Sequence, residues 1–124
     1  MKKTGKTGLR RIWNAMFYTL QGFTAAWRHE AAFRQEVLLC SILVPLSFLV
    51  GDSAVERVLL AGSCLLVLVT ELLNSAIEAA IDRFGNDRHE LSGRAKDLGS
   101  AAVFVSLCVV ALTWTLIGYE RLSG

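Results

Sequence analysis

Charged residues in this chain occur in blocks that separate three long apolar runs. No charged residue occurs in 37–50, in 58–70 or in 98–119. A helix needs about 20 apolar residues, at about 1.5 Å of rise each, to cross the hydrocarbon core of a membrane. The third run reaches that length alone, whereas the first must be extended backwards and the second forwards through two glutamates. The pattern therefore predicts three transmembrane helices, at about 31–50, 55–83 and 92–120.

A fourth helix with one apolar face is predicted at about residues 8–30. Its large apolar residues recur mostly at three- and four-residue steps, as on one face of a helix: Leu9, Ile12, Trp13, Met16, Phe17, Leu20, Phe23 and Trp27. The opposite face has polar residues, among them Arg10, Arg11, Asn14 and Gln21. Such a helix is suited to lie in the membrane interface. The same apolar face would also suit a helix packed on the bundle, and periodicity does not separate the two.

Composition and charge distribution indicate one membrane-embedded unit. Of the 124 residues, 53% are hydrophobic and one is proline, so residues 1–124 are interpreted as a single domain. The net charge of +2 is too small to indicate a nucleic-acid partner. Basic residues concentrate before the first predicted span and between the second and third. The loop between the first and second spans and the segment after the third have one basic residue each. By the positive-inside rule, we expect the N-terminus and the second loop to face the cytoplasm.

The segment TELLNSAIEAAID places polar residues inside the second predicted span. At 100° per residue, Glu71, Asn74, Glu78 and Asp82 all fall on one face of a helix. A charge at that depth costs at least a few kcal/mol unless it faces protein or water, which makes a functional role the first hypothesis. The alternative is an interhelical polar contact that fixes packing, with both glutamates neutral. Two carboxylates and an amide on one face fit that alternative poorly.

Further polar residues flank the predicted spans at the same, cytoplasmic end. Glu30, Arg34 and Glu36 stand at the start of the first span, and Lys96 with Asp97 at the start of the third. Carboxylates from two helices can hold a Mg²⁺ ion that bridges phosphate oxygens, because Mg²⁺ prefers oxygen ligands. Lysine and arginine can neutralise phosphate charge. The cytoplasmic end therefore has the residue types that phosphoryl transfer needs.

The loop between the second and third spans has two expected helix-end signals. Gly85 follows a basic last turn and is able to take the left-handed conformation that ends many helices. Ser92 is a candidate N-cap for the helix that continues into the third span.

Three segments of the chain closely resemble the small bacterial integral-membrane diacylglycerol kinases: AAWRHEAAFRQE at 25–36, ELLNSAIEAAIDR at 71–83 and HELSGRAKDLGSAAV at 89–103. The resemblance covers nearly the whole chain. It implies an all-α protein of the bacterial inner membrane, with an N-terminal surface helix and three transmembrane helices, assembled as a homotrimer whose active sites are shared between neighbours. It also implies transfer of the ATP γ-phosphate to the free hydroxyl of diacylglycerol, giving phosphatidic acid.

The resemblance also implies roles for individual residues. Glu71 corresponds to the catalytic base, and Glu30 and Glu78 correspond to the Mg²⁺ ligands. The positions that match nucleotide contacts are Arg11, Tyr18, Asn74, Asp87, Arg88, His89, Lys96 and Asp97. The positions that match the lipid substrate site are Arg11, Ala32, Arg34, Glu36, Glu71, Ser100 and Trp114.

Three other functions are compatible with parts of the pattern. A related membrane kinase phosphorylates undecaprenol with nearly the same phosphate chemistry, although 31–36 and 89–97 look more like the diacylglycerol enzymes. A small proton-coupled transporter would use an intramembrane glutamate such as Glu71, but it would leave Lys96 and Asp97 without a purpose. A purely structural membrane protein fits the polar face least well.

Overall fold

The computed structural model of the chain describes residues 8–85 and 89–124, and all of its regular structure is helical. The four helices are α1 (Leu9–His29), α2 (Ala31–Val50), α3 (Ala54–Asp82) and α4 (Glu90–Ser123). The predicted all-α fold is confirmed. The last three helices are each long and apolar enough to span a membrane. With 29 and 34 residues, α3 and α4 also exceed the roughly 20 residues that a span requires.

A single residue, Glu30, separates α1 from α2. Its backbone is extended, with φ −120° and ψ 104°, so it is at once the C-cap of α1 and the N-cap of α2. The Arg34 guanidinium donates to the carbonyl oxygen of Trp27 at 2.6 Å and to that of Arg28 at 3.4 Å. These bonds satisfy carbonyl groups that the last turn of a helix leaves without partners. The joint thereby ends α1 and leaves the Glu30 side chain half-buried at the corner.

The bundle core lies between α2, α3 and α4, and α3 is central to it. Leu60, Cys64 and Val67 of α3 are buried, together with Phe33 and Cys40 of α2. Most large apolar side chains of the three long helices point outwards and are exposed in the single chain. Helices in lipid do not need to bury such residues against one another, because lipid tails are as apolar as the side chains.

Antiparallel packing of α4 on α3 is supported by polar contacts at three levels. The Lys96 ammonium lies 2.7 Å from an Asp82 carboxylate oxygen at one end of the pair. The hydroxyl groups of Thr70 and Ser106 lie 2.9 Å apart near the middle. Trp114 Nε1 donates to the Leu60 carbonyl oxygen at 3.1 Å towards the other end. Together these contacts define the register of the two helices.

Of the two helix-end signals predicted for the loop between α3 and α4, the structure confirms the one at Gly85 and contradicts the one at Ser92. Gly85 takes the left-handed conformation with φ 84°, as its position after the basic turn predicted. The prediction that Ser92 caps the next helix is wrong. His89 is the N-cap, because its Nδ1 accepts a hydrogen bond from the Leu91 backbone N–H at 3.1 Å. Ser92 therefore lies inside the first turn of α4.

The apolar face of α1 is not packed on the bundle of its own chain. Ala26 is the only buried residue among the described residues of this helix. The eight large apolar residues of the face are between 47% and 85% exposed. The sequence left open whether this helix lies in the membrane interface or packs on the bundle, and the single chain does not show the packed arrangement. Only the end of α1 near Glu30 contacts α2, where the Phe23 and Phe33 rings stack with centroids 6.5 Å apart.

Candidate active site

The polar face of α3 is graded in burial along the helix. Glu71 is buried, with 5% of its surface exposed. Asn74 and Glu78, one and two turns further on, are half-buried, and Asp82 at the helix end is exposed. The Asn74 Nδ2 group donates to Glu78 Oε1 at 3.3 Å and links two members of the face. The face therefore runs from the protein interior at Glu71 to solvent at Asp82.

Carboxylates from α2 and from the Glu30 joint gather near Glu71. Glu30 and Glu78 are close enough for their negative charges to act on Glu71, and Glu71 acts in the same way on Glu36. Glu36 Oε2 is buried and has no hydrogen-bond partner among the described residues. Four acidic side chains, two from the start of α2 and its joint with α1 and two from α3, thus lie within electrostatic range and form one cluster. A cluster of this charge is costly unless cations or protons compensate it.

A groove of about 710 Å³ lies between α1 and α3 beside this cluster; we call it the α1–α3 groove. This volume lies in the usual range for ligand sites, about 300–1,000 Å³. Its polar lining consists of Thr19, His29, Glu30, Ser75, Glu78 and Asp82. The groove exists because α1 turns at Glu30 and runs past the polar end of α3. It opens the Glu30 and Glu78 carboxylates to the same space.

The sequence interpretation missed three of the polar residues that line the groove, namely Thr19, His29 and Ser75. The Ser75 hydroxyl oxygen is buried and has no hydrogen-bond partner among the described residues. Ser75 follows Glu71 by four positions and precedes Glu78 by three, so helical spacing alone would have placed it near the polar face. For Thr19 and His29 no such signal exists, because they reach the groove only through the fold of α1.

The carboxylates of the groove are suited to a metal ion that is bound partly by its substrate. Among residues 8–85 and 89–124, no group of three or more His, Cys, Asp or Glu side chains is arranged to hold a metal. Mg²⁺ usually takes one or two carboxylates and completes its shell with water and phosphate oxygens. Glu30 and Glu78 provide that number of carboxylates on one groove. The donor set therefore fits Mg²⁺ bound together with a nucleotide.

The other residues predicted to contact a nucleotide are divided between the cluster and distant surfaces. Lys96 lies at the end of the polar face through its ion pair with Asp82. The neighbouring Asp97 is exposed. Arg11 and Tyr18 are exposed on α1, about 28 Å and 18 Å from Glu30 along the axis at 1.5 Å per residue. His89 caps α4. Asp87 and Arg88 lie outside the residues that the structure describes.

The residues predicted to contact the lipid are likewise not all brought to Glu71 by one chain. Glu36 belongs to the acidic cluster, and Arg34 is bonded to the end of α1. Ala32 and Ser100 are exposed. Trp114 is held at Leu60, eleven positions and about 16 Å along α3 from Glu71.

Comparison with known proteins supplies the family. The family model described as prokaryotic diacylglycerol kinase matches residues 17–118. A diacylglycerol kinase of Pseudomonas aeruginosa is 58% identical over 113 residues, which cover 91% of this chain and 92% of that protein. The diacylglycerol kinase of Haemophilus influenzae is 52% identical, over 87% of this chain and 92% of that protein. The diacylglycerol kinase of Escherichia coli K12 is 49% identical, over 90% of this chain and 91% of that protein. Because the family model matches most of the length of this chain, the chain belongs to the prokaryotic diacylglycerol kinase family.

Proposed function

We propose that this chain transfers the γ-phosphate of ATP to the free hydroxyl of diacylglycerol at the α1–α3 groove. Family membership supports the overall reaction: the chain is a lipid kinase that phosphorylates diacylglycerol, with ATP as the phosphoryl donor. One observation carries the assignment of the site. The buried Glu71 lies within electrostatic range of Glu30 and Glu78, whose carboxylates line a groove large enough for a ligand.

The proposed mechanism divides the acidic cluster between the two substrates. Glu71 accepts the hydroxyl proton of diacylglycerol as the hydroxyl oxygen bonds to the γ-phosphorus. The bond between that phosphorus and the β-phosphate oxygen breaks, and ADP leaves. Phosphoryl transfer requires mainly positioning and neutralisation of charge, so one base and a few charged groups are a sufficient set. The depth of Glu71 in α3 suits an acceptor hydroxyl that lies just below the lipid headgroups.

Glu30 and Glu78 are proposed to hold Mg²⁺ at the phosphates. When bound there, the ion supplies positive charge that offsets the phosphate oxygens. Lys96 adds charge of the same sign from α4, and its ion pair with Asp82 keeps it near the polar face. Asn74 orients Glu78 through its amide hydrogen bond.

We also propose a homotrimer in which neighbouring chains complete each site. Arg11, Tyr18, Ser100 and Trp114 are far from Glu71 or directed away from it within one chain. A neighbouring copy could supply such residues to the groove. The exposed apolar faces of α2 and α4 offer surfaces for that contact. Cross-linking of the detergent-solubilised chain is expected to give a discrete band at three times the chain mass.

The proposed orientation has the α1–α3 groove on the cytoplasmic side of the bacterial inner membrane, where ATP is found. The basic residues around the N-terminus and after α3 support this orientation. In a Cys108→Ser background, where Cys40 and Cys64 are buried, Phe84→Cys is expected to react with a membrane-impermeant maleimide only from the cytoplasmic side. Ala54→Cys is expected to react only from outside. The reverse pattern would separate the groove from ATP and contradict the proposal.

The lipid acceptor is tested by offering the purified chain diacylglycerol and undecaprenol separately with labelled ATP. We expect label to enter phosphatidic acid, with a much lower rate into undecaprenyl phosphate. A preference for undecaprenol would overturn the assigned acceptor while leaving the phosphate chemistry intact. Cation counterflow in proteoliposomes without ATP, combined with no lipid-dependent ATP use, would instead support a transporter.

A further inference from the structure

Gly99 of α4 lies directly against the side chain of Asn74 on α3. It is buried, whereas the other two glycines within α4 are exposed (Gly93) or half-buried (Gly118). A Cβ atom at position 99 would overlap Asn74 Oδ1 and would lie 3.2 Å from Asn74 Cγ. A Cβ atom at Gly93 or Gly118 would meet nothing within 4 Å. Glycine at position 99 therefore leaves the space that the Asn74 amide occupies.

The hydrogen-bond chemistry of Asn74 explains why its orientation matters. Its Nδ2 donates to Glu78 Oε1 at 3.3 Å, and its Oδ1 is buried without a hydrogen-bond partner among the described residues. An ionised carboxylate only accepts hydrogen bonds, so the amide must turn its nitrogen towards Glu78. That orientation directs the oxygen into the space beside Gly99. A side chain at position 99 would overlap this oxygen, so the amide would have to move, and a rotated amide would lose its bond to Glu78.

A buried glycine in the middle of a helix also needs a reason, because glycine is less favourable there than alanine. No turn, break or positive φ occurs at position 99, which lies in the regular part of α4. Close approach of the Asn74 side chain is the only such reason found among the described residues around it.

We propose that Gly99 is a positioning residue of the kinase site: it admits the Asn74 amide, which in turn orients the Glu78 carboxylate in the α1–α3 groove. This inference rests on the proposed function, in which Glu78 holds Mg²⁺ with the nucleotide. Gly99 has no side chain with which to bind either substrate. Its effect should therefore appear in metal and nucleotide binding before it appears in the chemical step.

The first experiment compares Gly99→Ala with Gly118→Ala on the same helix. For Gly99→Ala we expect the half-saturating Mg²⁺ concentration to rise by about tenfold, the lower end of the scale for residues that orient metal ligands. Turnover at saturating Mg²⁺ should fall less. Binding of Mg²⁺ with a non-hydrolysable ATP analogue, measured by calorimetry without lipid, should weaken by a similar factor. Gly118→Ala should match the parent chain in both measurements. Parent-like binding by Gly99→Ala would overturn the proposal.

A double-mutant cycle separates this role from a general packing role. Residues in direct contact give non-additive effects, whereas independent residues add. In an Asn74→Ala background, where the amide is absent, Gly99→Ala should change Mg²⁺–analogue affinity by no more than about twofold. Gly99→Ala should lower the midpoint of thermal unfolding in the parent background, but not in the Asn74→Ala background. An equal penalty in both backgrounds would assign Gly99 to helix packing alone and refute the positioning role.

The cycle remains decisive when one variant or the proposed function fails. If Gly99→Ala alone does not assemble, recovery of assembly in the double variant supports the contact, and failure of both contradicts it. The unfolding midpoints need no activity. A parent chain that does not phosphorylate diacylglycerol would overturn the proposed function, whereas the midpoints would still report on Gly99 and Asn74.

Discussion

The Glu71→Gln chain is expected to phosphorylate diacylglycerol about 10²-fold or more slowly than the parent chain, the usual scale for the loss of a general base. Glutamine keeps the size of glutamate and its ability to form hydrogen bonds, but it cannot accept the hydroxyl proton. Because Glu71 is buried and its proposed role is at the acceptor hydroxyl, binding of Mg²⁺ with a non-hydrolysable ATP analogue should change little. The measurement is turnover per assembled enzyme, with analogue affinity determined on the same sample.

A packing role for Glu71 predicts the opposite combination. In that case the variant would be less stable, and the molecules that remain assembled would have nearly normal turnover. Glu56→Gln is a matched control, because Glu56 lies on the same helix near its other end and accepts only from the Asp52 backbone N–H at 3.3 Å. It should keep the parent turnover. Near-normal turnover in assembled Glu71→Gln would remove Glu71 from the mechanism.

Glu78→Gln and Glu30→Gln are each expected to raise the half-saturating Mg²⁺ concentration by at least about tenfold, since even residues that only orient a metal ligand alter affinity on that scale. Both carboxylates line the α1–α3 groove, and each replacement removes one anionic oxygen ligand that Mg²⁺ prefers. Membrane insertion and assembly should be retained, because both side chains lie at the edge of the bundle. The measurement is a Mg²⁺ titration of lipid phosphorylation at fixed ATP.

Glu90→Gln is the control for this second experiment. Glu90 is also an acidic residue at a helix end, but it is exposed and its partner is Arg94, at 3.8 Å on the same helix. Its removal should leave the Mg²⁺ titration unchanged. If Glu30→Gln and Glu78→Gln also titrated like the parent chain, the proposed metal site would have to be abandoned.

Features that depend on one helix at a time were predictable from the sequence. The spans follow from the length of charge-free runs, and the common face of Glu71, Asn74 and Glu78 follows from the helical rotation of 100° per residue. The conformation of Gly85 was likewise a local property. The prediction of Ser92 as the N-cap was wrong although it was a local prediction. The His89 side chain instead accepts from a backbone N–H in the first turn of α4, so the helix begins earlier.

The sequence alone thus determined four helices, their apolar faces and the order of polar residues along α3, because the spacing of two residues in a helix sets the angle between their side chains. Only the tertiary structure decided which of those residues meet. The turn at Glu30 brings α1 alongside α3 and forms the groove. The register of α4 sets Gly99 against Asn74 and Lys96 against Asp82. These two contacts join positions 25 and 14 residues apart. They depend on helix crossing and register, which arise from the packing of whole helices and leave no periodic trace in the sequence.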